Sequence, residues 1–251
     1  MQTEKPIKAV VLAAGKGTRL HTEGCDIPKV MRPAAGRPLL AYVCEALDFI
    51  PSERIVLVVG YLREQVMEAF PQCRFAVQEQ QLGTGHAVAS ASGELADFDG
   101  DVLVCCGDMP LIRQETYLAL VRQHVSEGND CTLLTGTADG ALPYGRILRG
   151  TDGRFRAIVE EKDCTPEQKQ IRELNSGVYV FRAPALCRML GRLRTDNAQG
   201  EYYLTDVPAL MLHDVLKVGV CCRELGNEIL GVNTPEQLRQ VSSLLAAAQE
   251  K

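Results

Sequence analysis

A chain of 251 residues, 46% apolar and 24% charged, has ordinary globular proportions and enough length to bury a substantial core, as one large α/β domain or two small ones. Its 27 basic and 32 acidic residues leave a net charge of −5, which argues against nucleic acid or an anionic membrane as the main partner. Ten cysteines with no C-x-x-C pair, several of them inside apolar runs, and four scattered histidines argue against a disulfide scaffold and a zinc site; without a leader or a membrane-spanning run, the expected setting is the cytoplasm.

In chain order, short apolar runs alternate with helical periodicity through the first half. The pattern predicts strands over 9–14, 54–59, 75–77 and 101–106, with helices over 39–48, 63–69, 84–92 and 113–127. Such alternation is the signature of βαβ units and a mostly parallel sheet. Thr84 is placed to cap the helix that follows it, and Pro110 ends the strand before Arg113. After Asp130 the texture becomes strands over 131–136, 145–149, 155–161 and 177–182, separated by turns; Cys221 and Cys222 also read as strand residues, 228–232 as strand-like, and 235–249 as a helix. The expected division is a nucleotide-type lobe over 1–136 and a smaller β-rich lobe over 137–227, sharing one sheet, followed by a terminal segment over 228–251. In such open sheets, ligands lie beyond the carboxyl ends of the strands.

The first strand runs into LAAGKGTRL, Leu12 to Leu20. Gly15 and Gly17 allow backbone amides to approach anionic oxygens, and Lys16 and Arg19 add charge. The glycines match neither the Walker loop nor the dinucleotide fingerprint, so taken alone the loop reads equally as a phosphate site or as a tight turn. From Lys5 to Arg37 there are seven cations against two acids, which on an acidic protein suits a small anionic ligand or a solvated basic face.

Further segments place polar residues straight after strands. In QEQQLGTGHA, Gln78 and Gln81 could read the edge of a base while Gly83 and Gly85 permit close backbone approach; a polar loop capping a helix is the other reading. Asp108 follows the strand over 101–106 through Gly107, where a carboxylate suits Mg²⁺ shared with phosphates, or else a turn or helix cap. Gly145, Glu160 and Asn175, in PYGRI, EEKD and LNSGVYVF, offer a backbone amide, a carboxylate and a carboxamide. Those are the groups that a sugar's hydroxyls and an acetamido group require, although each also reads as structural. Asn233, in GVN, could complete an oxygen ligand set.

Read together and in order from Val10 to about Gln240, LAAGKGTRL, PKV at 28–30, QLGTGHA, GDMPL, YGRI, EEKD, LNSGVYVF, NAQGEYYLTD at 197–206 and GVN resemble the sugar-phosphate nucleotidyltransferases. Within that family, the likeness is to the bacterial N-acetylglucosamine-1-phosphate uridylyltransferases. The resemblance implies a Rossmann-like, doubly wound, mostly parallel mixed sheet and Mg²⁺-dependent formation of UDP-N-acetylglucosamine and pyrophosphate from UTP and N-acetylglucosamine 1-phosphate, for cell-envelope precursors. It implies that Leu12, Ala13, Ala14 and Gly15 line the nucleotide, with Gly107, and that Gln78, Gln81, Gly83 and Thr84 fix uracil and ribose. Arg19 and Lys29 would hold the triphosphate, Asp108 and Asn233 the metal, and Gly145, Glu160 and Asn175 the amino sugar, bordered by Tyr202 to Thr205. Neighbouring readings are a transferase using glucose 1-phosphate or dTTP, or a nucleotide-sugar-binding regulator on the same fold. Two departures stand out: the loop between Arg19 and Lys29 is longer than the family's usual spacing, and Cys106 replaces a common aromatic residue. The hexapeptide β-helix of the bifunctional enzymes has no counterpart in the sequence, so neither acetyl transfer nor trimerisation through it is expected.

Overall fold

A computed structural model describes residues 5–20, 26–137 and 142–249. The strands of the main sheet are β1 (Ile7–Ala13), β2 (Ile55–Val59), β3 (Arg74–Val77), β4 (Asp101–Cys106), β5 (Cys131–Thr137), β6 (Arg146–Arg149), β7 (Phe155–Val159), β8 (Glu173–Arg182) and β9 (Val218–Arg223). The main helices are α1 (Leu39–Ala46), α2 (Arg63–Ala69), α3 (Thr84–Ser90), α4 (Gln114–Glu127), α5 (Ala183–Leu190), α6 (Val207–His213) and α7 (Pro235–Gln249).

One sheet runs β9-β5-β8-β4-β1-β2-β3, with the β6–β7 hairpin branching from β8. β1 pairs in parallel with both β2 and β4, and β8 is antiparallel to β4 and β5. Parallel strands must be covered on both faces, and the sequence complies. Successive side chains of a strand point to opposite faces. Ala9, Val11, Leu57 and Leu103 therefore pack on one side with Leu40 and Val43 of α1, Val66 of α2 and Tyr117 and Leu120 of α4. Val10, Val56, Val58, Val102 and Val104 pack on the other with Ala87 and Val88 of α3, Leu186 and Met189 of α5 and Val207 and Met211 of α6.

All the expected strands up to residue 182 and the strand at Cys221–Cys222 are present, with shifted ends. LNSGVYVF lies wholly within β8, where the pairing with β5 slips between Asn175 and Val178 and Gly177 takes φ +74°. Two expectations fail, and two helices were not foreseen. The strands over 131–182 are separated by turns, as read, but α5 and α6 follow them. Both begin with proline in the first helical turn, where its missing N–H costs nothing, and α5 buries Ala185, Leu186, Met189 and Leu190 along one face. The segment read as strand-like over 228–232 starts instead in a 3₁₀ turn, Gly226–Ile229. Thr84 does not cap α3: its Oγ1 accepts the Leu204 N–H at 3.0 Å, and Gly83 occupies the cap position.

The chain leaves β1 for β2 and β3 on one side and returns to β4 on the other. This reversal opens a crevice at the carboxyl ends of β1 and β4, where Leu12–Gly15 and Gly107–Asp108 emerge side by side. The Gly107 N–H donates to the Leu12 carbonyl at 2.9 Å, so the parallel ladder continues up to the mouth of the crevice.

Candidate active site

The crevice holds a cavity of about 250 Å³. Its walls include Leu12, Ala14 and Gly15 from the first loop, Gln78, Gln81, Gly83 and Thr84 from the loop before α3, and Lys29, Cys106 and Asp108. The expected nucleotide, cation and metal segments, far apart in sequence, thus meet at one place.

Lys29 is set by its surroundings. It opens a 3₁₀ turn, Lys29–Met31, after Pro28, and Val30 next to it is buried. A Cβ on Gly17, which has φ +62°, would stand 2.7 Å from Lys29 Cβ, and one on Gly107 would stand 3.1 Å from Val30 Cγ1. These two glycines make room for the Lys29 turn. Lys29 Nζ donates to Asp108 Oδ2 and, at 2.7 Å, to Asn233 Oδ1. The Lys29 and Asp108 side chains are 14% and 17% exposed, so the pair is shielded but reachable.

The two oxygens read as metal ligands therefore converge on a cation supplied by the chain itself. That donor set, one carboxylate and one carboxamide, fits a hard cation that keeps its other positions for phosphate and water. Among the described residues no cluster of three or more His, Cys, Asp or Glu side chains could hold a metal alone.

Other expected residues take supporting places. Gln78 is buried; its Nε2 donates to the Gly83 carbonyl at 3.1 Å and lies 3.0 Å from His86 Nδ1, which shapes the loop it belongs to. Gly83 and Gly85 were read as allowing close approach of a ligand, but what approaches is residues 201–202. A Cβ on Gly83, at φ +108°, would fall 2.6 Å from the Tyr202 carbonyl oxygen, and the Gly85 N–H donates to that oxygen at 2.8 Å. Gly15, by contrast, has nothing within 4 Å of the Cβ position, so the open face of the glycine loop is there.

Ala13 faces the core, and exposed Arg19, in the turn Thr18–Leu20, is not among the residues lining the cavity; His21 to Cys25, in the longer loop, lie outside the described residues. Gly145, Glu160 and Asn175 also lie outside its walls. Gly145 is buried, with its carbonyl accepting the Asn175 N–H at 2.8 Å. Asn175 donates to Tyr179 Oη at 2.7 Å. Glu160 accepts the Thr205 hydroxyl at 2.9 Å. Burial pushes the Glu160 carboxyl above its ordinary range, and the charges of Asp163, Asp206 and Glu201 add to this against the Thr205 hydrogen bond. Burial likewise raises the Cys106 thiol, with further pushes from the charges of Asp108 and Cys105.

Glu201, Gly60 and Tyr144 were given no role of their own in the sequence, and Cys106 stood there only as a departure from the family. Cys106 and Glu201 line the cavity. Gly60, directly after β2, would carry a Cβ 2.9 Å from both the Ala14 carbonyl and Gln81 Nε2, so its glycine lets Gln81 reach the first loop. Tyr144 Oη accepts the Gly231 N–H at 2.9 Å and so ties PYGRI to GVN. A glycine straight after an apolar strand was a legible signal for Gly60; the others depend on contacts across the fold.

A larger cavity of about 750 Å³ lies elsewhere, between α1, the start of α4 and the end of α7. Its charged groups are spent on one another, as in Arg37 with Glu45 at 2.7 Å and Arg113 with Glu228 at 2.7 Å. The smaller crevice, where Lys29 bonds Asp108 and Asn233, is the better candidate for the chemistry.

Residues 9–200 match the MobA-like NTP transferase domain family. The chain is 45% identical over 237 residues to the bifunctional protein GlmU of Geobacter metallireducens, covering 93% of this chain and 49% of that protein. It is 43% identical to the protein of the same name from Streptomyces coelicolor, covering 98% of this chain and 52% of that one. The chain thus spans about half the length of the curated relatives it matches. A solved structure from Bacillus anthracis, designated a candidate glucose-1-phosphate thymidylyltransferase and bound to sucrose, aligns with a TM-score of 0.73 over 96% of this chain and 95% of that one. At 15% identity, it shows a shared fold.

Proposed function

The chain belongs to the MobA-like NTP transferase family, and from that premise we propose that it is a Mg²⁺-dependent uridylyltransferase. It joins UTP to N-acetylglucosamine 1-phosphate and releases pyrophosphate. The observation that carries this reading is the convergence of Lys29, Asp108 and Asn233 beside Gly15 at the open ends of β1 and β4. The identity to the GlmU proteins, 45% and 43% over 93% and 98% of this chain, supports the choice of nucleotide and sugar.

The reaction is an in-line attack by a sugar-phosphate oxygen on the α-phosphorus of UTP. The nucleophile is already an anion, so no general base is required. What the protein must do is bring two polyanions together and align them. Asp108 and Asn233 would hold Mg²⁺, which neutralises phosphate charge and supports the pyrophosphate as it leaves. Lys29 and Arg19 place positive charge on the triphosphate, Gly15 offers its amide, and Gln81, Gly83 and Thr84 seat the uracil and ribose. On this reading, residues up to 136 carry the nucleotide. Residues 137–227 carry the sugar, through Gly145, Glu160 and Asn175, in a cytoplasmic enzyme acting on small molecules.

The test is a panel scored by pyrophosphate release, pairing UTP and dTTP with N-acetylglucosamine 1-phosphate and glucose 1-phosphate in Mg²⁺. The expected result is highest turnover with UTP and the N-acetylated sugar. A preference for glucose 1-phosphate would overturn the sugar assignment. Binding of UTP without turnover of any pair would overturn the enzymatic reading.

A further inference from the structure

Asn233 stands at the end of a strap that begins in the 3₁₀ turn Gly226–Ile229. Near the site, besides the Lys29 bond to Asn233, three backbone N–H groups of the strap are bonded. The Gly231 N–H reaches Tyr144 Oη at 2.9 Å, the Val232 N–H reaches the Asp108 carbonyl at 3.0 Å, and the Asn233 N–H reaches Gln237 Oε1 at 2.7 Å. At its far end Ile229 is fully buried in the core, and the polar tie is made by Glu228, which is 8% exposed.

Glu228 accepts four hydrogen bonds from the start of α4. Its Oε2 takes the Arg113 N–H at 3.1 Å and the Thr116 hydroxyl at 2.6 Å, and its Oε1 takes Arg113 Nε at 2.9 Å and Nη2 at 2.7 Å. Both oxygens face donors only, so the position requires a carboxylate: an amide in either orientation would set its own N–H groups against donors. A buried ion pair is a weak source of net stability, because desolvation offsets much of the attraction. Its distinctive contribution is geometric. α4 begins shortly after Asp108, so the clamp joins the segment bearing one expected metal ligand to the strap bearing the other.

We propose that Glu228 is a positioning residue for the Asp108–Asn233 pair, locking the 226–229 turn onto the start of α4 and thereby fixing where Asn233 stands against Asp108. The proposal rests on the reading of those two residues as metal ligands. Groups that orient ligands without touching the metal commonly control its affinity by about ten- to a hundredfold.

The experiment is a titration of the full chain with Mn²⁺ alone, followed by electron paramagnetic resonance, with thermal unfolding measured in parallel. Glu228→Gln should weaken Mn²⁺ binding by about tenfold while UTP binding in chelator stays unchanged. Thr116→Val, which removes one of the four bonds and adds no misplaced donor, should weaken it by a smaller factor, and it carries the test if the glutamine variant fails to fold. Asn233→Ala separates the two failures. If Asn233→Ala weakens Mn²⁺ binding while Glu228→Gln and Thr116→Val leave it unchanged, the clamp is overturned and the metal reading stands. If none of the three changes Mn²⁺ binding, the metal reading itself fails and the clamp fails with it. A lowered melting temperature with unaltered Mn²⁺ affinity would make Glu228 purely structural and overturn the proposal.

Discussion

Lys29 and Asp108 in the crevice, and Glu160 outside its walls, carry different electrostatic demands. Lys29 sits on the two oxygens expected to bind metal, so ammonium and metal compete for them in the absence of nucleotide. Replacing Lys29 by methionine should tighten Mn²⁺ binding to the free protein several-fold, measured by paramagnetic resonance, while turnover falls because the triphosphate loses a cation. Asp108→Ala removes the only carboxylate of that pair and should lower turnover by about two orders of magnitude or more, roughly 3 kcal/mol of transition-state stabilisation, read from pyrophosphate release. Glu160 behaves differently. Its folded form holds a proton more tightly than the unfolded chain does, chiefly because of burial. Its contribution to stability is therefore full below the ordinary glutamate value, about pH 4, and is lost as pH rises through the raised folded value. Glu160→Gln should make the protein more resistant to denaturant than the parent at pH 8, with the difference vanishing below about pH 4. The same variant should raise the Michaelis constant for the sugar phosphate and leave that for UTP nearly unchanged.

At the scale of elements, the motif glycines are mostly fitted to other parts of the chain. The loop before α3 is laced to residues 201–202, with the Tyr202 N–H donating to the Leu82 carbonyl at 2.8 Å and the Tyr202 carbonyl accepting from Gly85. This lacing holds the expected base-binding loop against the segment that also supplies Thr205 to Glu160. Gly83→Ala should cost about 2 kcal/mol or more, because its φ of +108° is closed to other residues and a Cβ would meet the Tyr202 carbonyl at 2.6 Å. Denaturant unfolding would report the loss. A cost near zero would show that the loop relaxes away from residues 201–202. The short helices α5 and α6 belong to this scale too: they were hidden in a region dense with strands, although Pro184 and Pro208 and the apolar spacing of α5 marked their starts.

Across the whole molecule, a third apolar cluster gathers Leu20, Leu39, Tyr42, Val232, Val241 and Leu245 from the first loop, α1, the strap that ends at Asn233, and α7. It stabilises the two segments that flank the crevice from outside. Leu39 is fully buried there, and Leu39→Ala should cost about 3 kcal/mol by equilibrium denaturation, the usual range for a leucine lost from a packed core. The alternation of buried strands with amphipathic helices was legible in the chain because residue spacing alone decides which face of an element is apolar. Gly15 and Asp108 were legible as candidates because a glycine and a carboxylate placed after apolar strands are chemically conspicuous, while Lys29 was legible only through the resemblance of the motif order to one family, and Asn233 as an oxygen donor in GVN. Spacing carries no information about distance between segments separated by many residues. The meeting of Lys29 with Asn233, the packing of Gly83 on Tyr202, and the hydrogen bonds of Glu228 to Arg113 and Thr116 were therefore decided by tertiary structure, which brings those groups within hydrogen-bond or van der Waals reach.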